Sequence, residues 1–217
     1  MKQEEKSLTT RGKILDAAYE LFTQKGFEAT TMQDIMTQTQ LSKGAIYHHF
    51  GSKEEIMQAL GDQLFLANNP FDAVRERTDL NALQKIHEVL SLNQADDQSK
   101  RFNLQALPIL KDPRILAAAI EANRRILTPL WLELLEEGRR DGSIETAYPQ
   151  ELAELLPLIN FWFIPSLFPA SEAQLRHKAR FVLEVLAKMG LPLTSEDILP
   201  MSEDLLAALT VDGEIRP

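Results

Sequence analysis

Between Lys25 and Glu55 the chain carries so many helix stop and start signals that only short helices fit between them. Lys25-Gly26 closes an amphipathic stretch in which Ile14, Leu15, Ala18, Leu21 and Phe22 recur at helical spacing. Two alternative starts follow: Thr30 has Gln33 three residues on, and Thr31 has Asp34, either pair fitting a capping box. A short helix through Met32, Ile35 and Met36 then meets the polar turn Gln38-Thr39-Gln40. Ser42 caps the next helix, with Ala45, Ile46 and Phe50 toward a core. Ser52-Lys53-Glu54-Glu55 is a capping box that opens a fourth helix, with Ile56, Leu60 and Leu64 on one face. This pattern predicts a compact helical headpiece.

The same region has an unusual charge pattern. No acid occurs from Ile35 to Lys53, although the chain holds 32 Asp and Glu in 217 residues and a net charge of −9. The acid-free stretch contains Lys43, Tyr47, His48 and His49. Phosphates repel carboxylates and attract Lys and protonatable His, so a polyanionic partner is the simplest reason for it. A helix, a tight turn and a second helix form the element that enters a DNA major groove. The acidity sits elsewhere. Residues 1–60 hold 7 Lys and Arg against 8 acids, and the rest hold 16 against 24.

Beyond Asn68-Asn69-Pro70, which breaks the fourth helix, a second helical block follows. Leu83, Ile86 and Leu90 mark one helix, and Asp112-Pro113 starts a longer one through Ile120, Leu127, Leu130, Trp131, Leu134 and Leu135. Gly138 and Asp141-Gly142-Ser143 bound its end. Pro149 opens another, and Leu175, Ala179, Val182, Leu186 and Met189 mark the last strong one, with a weak helix near Leu205. No segment alternates as a strand would. The run Leu152 to Phe168 is apolar almost all round, but spanning a bilayer needs ~20 such residues, and Pro157 and Pro165 interrupt this one. A helix buried on both sides, kinked at Pro157, is expected instead. The absence of cysteine excludes disulfides, thiolate nucleophiles and Cys-ligated zinc. The polar start from Met1 to Arg11 has no signal-peptide core, and a cytoplasmic location is expected. No phosphate-binding loop, dinucleotide fingerprint, nucleophile elbow or zinc-protease motif is present, so no catalytic residue, metal or cofactor is expected.

Gly26-Phe27, Thr30-Thr31, Ile35, Ser42-Lys43-Gly44-Ala45-Ile46-Tyr47-His48-His49-Phe50 and Ser52-Lys53-Glu54 together resemble the TetR/AcrR family of transcriptional repressors over about residues 8–60. Departures lie in the turn, where Met36, Thr39 and Gln40 stand in place of the family's small residues or glycine. If Gln40 takes the left-handed backbone that glycine would take, the strain is ~1 kcal/mol. The resemblance implies an all-α chain: a three-helix helix-turn-helix headpiece followed by a larger helical ligand-binding and dimerisation domain. Residues 1–52 would form the DNA-binding domain, helix 4 to about residue 67 the connector, and 68–217 the second domain.

It also implies that Ser42 to His48 form the recognition helix. Lys43 would reach guanine O6/N7 or a phosphate. Gly44 would let the backbone approach DNA closely. Ala45 would touch a thymine methyl or pack on Leu41. Tyr47 and His48 would contact phosphates, with Thr31 and Lys53 at helix starts on either side. Ser42 could serve only as a cap. His49 would face inward. One short helix reads few base pairs, so a useful site needs two half-sites on double-stranded DNA and a homodimer. The last two strong helices would pair the chains, with Leu175, Phe181, Val182 and Val185 exposed for it. An unknown small-molecule effector would meet a pocket drawn from Phe102, Leu107, Asn123, Arg124, Leu127, Trp131, Asn160, Phe161, Trp162 and Phe168, although aromatic core and a solvated Arg124 would explain these residues equally. The expected function is repression relieved by that ligand. The alternative is a DNA-binding protein governed by a protein partner, without a pocket.

Overall fold

The computed structural model describes residues 2–67, 69–96, 107–164, 167–195, 197, 210–211 and 214–215. The fold is all-α. The one exception among the described residues is a two-residue antiparallel pair, Thr210–Val211 against Glu214–Ile215. The helix expected near Leu205 lies outside the described residues. The chain forms two compact units, residues 1–68 with 101–109, and 69–100 with 110–217.

In the first unit, α1 (Lys2–Lys25), α2 (Met32–Thr39), α3 (Lys43–His49) and α4 (Lys53–Ala67) enclose one core. Ile14, Leu15, Ala18, Phe22, Phe27, Ile35, Ile46, Phe50, Ile56, Met57 and Leu60 fill it. Helices of seven and eight residues are unstable alone. Each large apolar side chain buried here contributes ~1.5–3 kcal/mol, so packing holds α2 and α3 in place.

The caps resolve the open choices. Thr30 is buried and donates its hydroxyl to the Gly26 carbonyl at 2.8 Å, so it closes the loop rather than starting the helix. Thr31 is the cap: its Oγ1 accepts from Asp34 N at 3.2 Å, and its own N–H donates to Asp34 Oδ2 at 2.8 Å. Lys25, 2.8 Å from the same carboxylate, and Thr31 hold the Asp34 carboxyl far below the usual range. At α4, Ser52 Oγ accepts from Glu55 N, but the Glu55 carboxylate takes the N–H of Gly51 rather than that of Ser52.

Gln40 ends α2 at φ 56° and ψ 25°, and among the described residues it is the one non-glycine with positive φ. The glycine-like conformation is therefore present with its strain of ~1 kcal/mol. Gln40→Gly removes that strain but loosens the unfolded chain, for a net gain of roughly 0.5 kcal/mol. A β-branched Gln40→Val should lose ~1 kcal/mol or more. Thermal midpoints are expected in the order Gly above Gln above Val, and a reversed order would mean that the turn is not left-handed.

The second unit contains α5 (Pro70–Arg75), α6 (Ala82–Ala95), α7 (Pro113–Asp141), α8 (Pro149–Trp162) and α9 (Glu172–Lys188), and a 3₁₀ turn (Pro108–Lys111) carries the chain from the first unit into it. Asp112 caps α7 with Pro113 at its first position, and Gly142 ends it at φ 79°. Gly138 does not end the helix as expected. It lies inside, buried, because Ile144 folds back onto it and a Cβ would sit 2.5 Å from Ile144 Cδ1. The end of α7 then serves α6: Asp141 and Ser143 accept the N–H groups of Ala82 and Leu83 at 2.8 and 3.2 Å. The Lys85 ammonium, 5% exposed, is matched by Glu137 at 2.8 Å and the Arg75 carbonyl at 3.3 Å.

Within one chain α8 is buried along one side. Leu152, Ala153 and Pro157 are buried, while Leu155 and Leu158 on the other side are exposed. Two of the α9 residues expected at a dimer surface are core: Leu175 and Val182 share the inward face with Ala179 and Leu186. Phe181, on another face, is 54% exposed, and Val185 is half-buried. Among the described residues no helix is long and apolar enough to cross a membrane.

Candidate nucleic-acid interface

Ile46 and Phe50 orient α3 by inserting into the headpiece core. Ser42 holds its start, with Oγ accepting from Ala45 N at 3.2 Å, and the Phe50 N–H donates to the Ile46 carbonyl at its end. Successive helical residues point ~100° apart, so the remaining side chains turn outward. Lys43 and Tyr47 lie one turn apart, with Lys43 Nζ 5.6 Å from the centre of the Tyr47 ring. Ser42, Lys43, Gly44, Tyr47 and His48 are exposed, and Ala45 and His49 are half-buried. The His48 and His49 rings meet edge-on at 5.2 Å. No heavy atom lies within 4 Å of the place a Cβ would take on Gly44. The outer face of α3 is thus open, hydroxyl- and nitrogen-bearing, and free of acids.

The two flanking residues are more committed than their spacing suggests. The Thr31 N–H and hydroxyl both donate to Asp34, the hydroxyl at 2.7 Å. Any phosphate there competes with a carboxylate already in place. Lys53 Nζ donates to the Phe27 carbonyl at 2.7 Å and lies 4.1 Å from the Phe27 ring centre. Its ammonium retains two further donors for an anion. Lys53→Ala is therefore expected to do two things: lower stability by ~1–2 kcal/mol through the lost bond, and lower the salt dependence of DNA binding by roughly one per half-site. Melting and binding titrations on one preparation separate the two effects, and an unchanged salt slope would leave Lys53 a purely structural residue.

In the second unit, Leu116, Ile120, Leu158, Phe161, Trp162, Leu167 and Phe168 line an open apolar groove of about 460 Å³. Of the expected pocket residues it takes in Phe161, Trp162 and Phe168. Phe102 lies outside the described residues, and Leu107 falls in the first unit. Trp131 is core, edge-on to Phe71 at 4.8 Å. Arg124 is exposed and paired with Glu121 at 2.6 Å, and Asn160 is exposed. Asn123 lies 3.5 Å from the Pro157 carbonyl, and Leu127 is half-buried. Leu116, Ile120, Leu158 and Leu167 were not among the expected pocket residues, Ile120 being assigned only to the apolar stripe of its helix. The available signal was that Ile120 and Leu158 are apolar at otherwise solvent-facing positions. Lys178 borders the groove residues, donating to the Trp162 carbonyl at 3.1 Å and lying 5.1 and 5.6 Å from the Trp162 and Phe168 rings. Burial lowers its pKa.

Residues 14–60 match the family described as bacterial regulatory proteins, tetR family. The HTH-type transcriptional repressor KstR2 of Rhodococcus jostii strain RHA1 is 32% identical over 158 residues, covering 66% of this chain and 72% of that one. The solved structure of Thermus thermophilus FadR, a TetR-family transcriptional repressor in complex with lauroyl-CoA, shares the fold at a TM-score of 0.62 and 20% identity, covering 95% of this chain and 98% of that chain. A TetR-family regulator of Pectobacterium atrosepticum does so at a TM-score of 0.61 and 22% identity, over 86% and 97% of the two chains.

Proposed function

This chain belongs to the TetR family of DNA-binding bacterial transcriptional regulators and is not an enzyme, and we propose that it is a dimeric repressor released from a palindromic operator by a small molecule. The observation that carries the reading is the outer face of α3, which presents Lys43, Gly44, Tyr47 and His48 with no acid among them. Lys43 reads a base edge or holds a phosphate, Tyr47 and His48 donate to phosphates, and Gly44 and Ala45 leave room for the groove wall. Ser42 positions the helix. Thr31 and Lys53 flank it: the Thr31 donors are already engaged by Asp34 and play a smaller part, whereas Lys53 keeps two donors for a phosphate beside the one spent on Phe27.

Pairing follows from the reach of α3. Its seven residues extend ~10 Å at 1.5 Å each, enough for one half-site. The surface proposed for a second copy is the exposed apolar part of α8 and α9 outside the groove, with Leu155 and Phe181. The groove between α7, α8 and the segment after it is proposed to take the apolar body of the effector. Binding there favours a state in which the two recognition helices no longer match successive major grooves. The α4 helix is the coupling element, since it ends at Ala67 where the second unit begins. A regulator of this kind works in the cytoplasm.

The test is a binding titration on a duplex enriched from a random pool. Two chains per duplex, and release by a ligand that binds the free protein, are expected. A long-chain acyl thioester, the class of molecule bound by the Thermus repressor, is a first probe. One chain per duplex contradicts the dimer, and tight ligand binding without altered DNA affinity contradicts the release mechanism.

A further inference from the structure

We infer that Arg11, on α1, is a second backbone clamp that grips a DNA phosphate at the end of the recognition helix opposite Lys43. The inference rests on the DNA-binding reading of the headpiece. Arg11, Leu15, Ala18 and Phe22 fall on one face of α1, spaced by four, three and four residues. Three of the four are at most 1% exposed, whereas Arg11 is exposed. The inward stripe of α1 therefore leaves the core at Arg11, beside α3. The guanidinium lies 5.2 Å from the centre of the Phe50 ring, and Phe50 is the residue that closes α3.

Nothing among the described residues neutralises this cation. Lys25 is matched by Asp34, and Lys53 donates a hydrogen bond to the Phe27 carbonyl. Among the described residues Arg11 has no carboxylate partner, and its guanidinium lies over an aromatic face. A guanidinium held over a ring still offers paired donors matched to phosphate oxygens. The span of α3 is close to the ~12 Å width of a major groove, so neither end of it lies far from a sugar–phosphate backbone. Lys43 serves one end and Arg11 the other. Lys13 is an internal control: two residues on, it points ~200° around the helix from Arg11.

The test is the salt dependence of binding by the full-length protein, measured on an enriched duplex and on random DNA for wild type, Arg11→Gln, Arg11→Lys and Lys13→Gln. Arg11→Gln should lower the slope of log affinity against log salt by ~0.9 per protomer. It should weaken both duplexes by the same factor and leave the melting temperature in place. Arg11→Lys should keep most of the slope, and Lys13→Gln all of it. An unchanged slope for Arg11→Gln would overturn the inference, as would an equal drop for Lys13→Gln, which would indicate long-range charge rather than contact. Wild-type protein that binds no duplex at any salt would overturn the DNA reading itself, and this inference with it.

Discussion

Lys43→Ala is expected to produce the largest loss of operator affinity of any single change in the headpiece, without loss of fold. Lys43 is the first residue of α3 and exposed, and its ammonium lies over the face of Tyr47. Its removal leaves no cavity and no orphaned partner, so the melting temperature should hold. A lysine reading guanine O6/N7 contributes ~1–3 kcal/mol per half-site. Doubled across a dimer, even the lower figure is roughly a 30-fold loss. Preference at the contacted base pair should relax while the rest of the consensus survives. Equal loss on operator and random DNA would instead make Lys43 a phosphate contact.

The largest loss of stability is expected from Gly190→Ala, far from the DNA face. After α9, the Gly190 N–H donates to the Ala187 carbonyl at 3.1 Å and the Leu191 N–H to the Leu186 carbonyl at 2.9 Å. This paired closure needs a left-handed residue, and Gly190 has φ 87°. The space is also taken: a Cβ would lie 1.9 Å from the Glu145 carbonyl oxygen and 2.5 Å from its carbon. Backbone cannot swing aside as a side-chain tip can, so the link between α7 and α8 must move. Left-handed strain and overpacking together cost ~2–4 kcal/mol, or ~5–15 °C in a chain of this size. Gly142→Ala is the comparison. Gly142 has φ 79° but nothing within 4 Å of its Cβ position, so only the strain of ~1 kcal/mol applies. Equal losses for the two variants would mean that the close approach at Glu145 is absent.

The headpiece was legible in the sequence because its punctuation is local. Ser42 bonds a backbone group three residues away, and Gly26 and Gln40 turn the chain at their own positions, so spacing alone shows them. The choice of Thr31 over Thr30 was not legible, since it depends on which threonine the fold buries. Nor was the second task of Lys53, whose partner Phe27 is 26 residues away. Gly138 shows the same limit. It reads as a helix stop until Ile144 is seen to need its missing side chain. The groove was half legible. Aromatic residues near Phe161 stood out, but periodicity does not tell core from cleft, and Trp131 and Phe161 look alike until Phe71 covers one of them. Arg124 was ambiguous for a similar reason: a polar residue in an apolar helix means little before Glu121, one turn back, is seen to pair with it.

The most direct measurement is selection of bound duplexes from random DNA by the purified protein, run in parallel with Tyr47→Ala. Tyr47 is exposed on α3 beside Lys43, so its loss should spare the fold and remove a contact to DNA. A two-fold symmetric consensus for the wild type, lost or sharply weakened in the variant, is the predicted result. No enrichment at low salt, or the same consensus from both proteins, would contradict the claim that this face of α3 reads an operator.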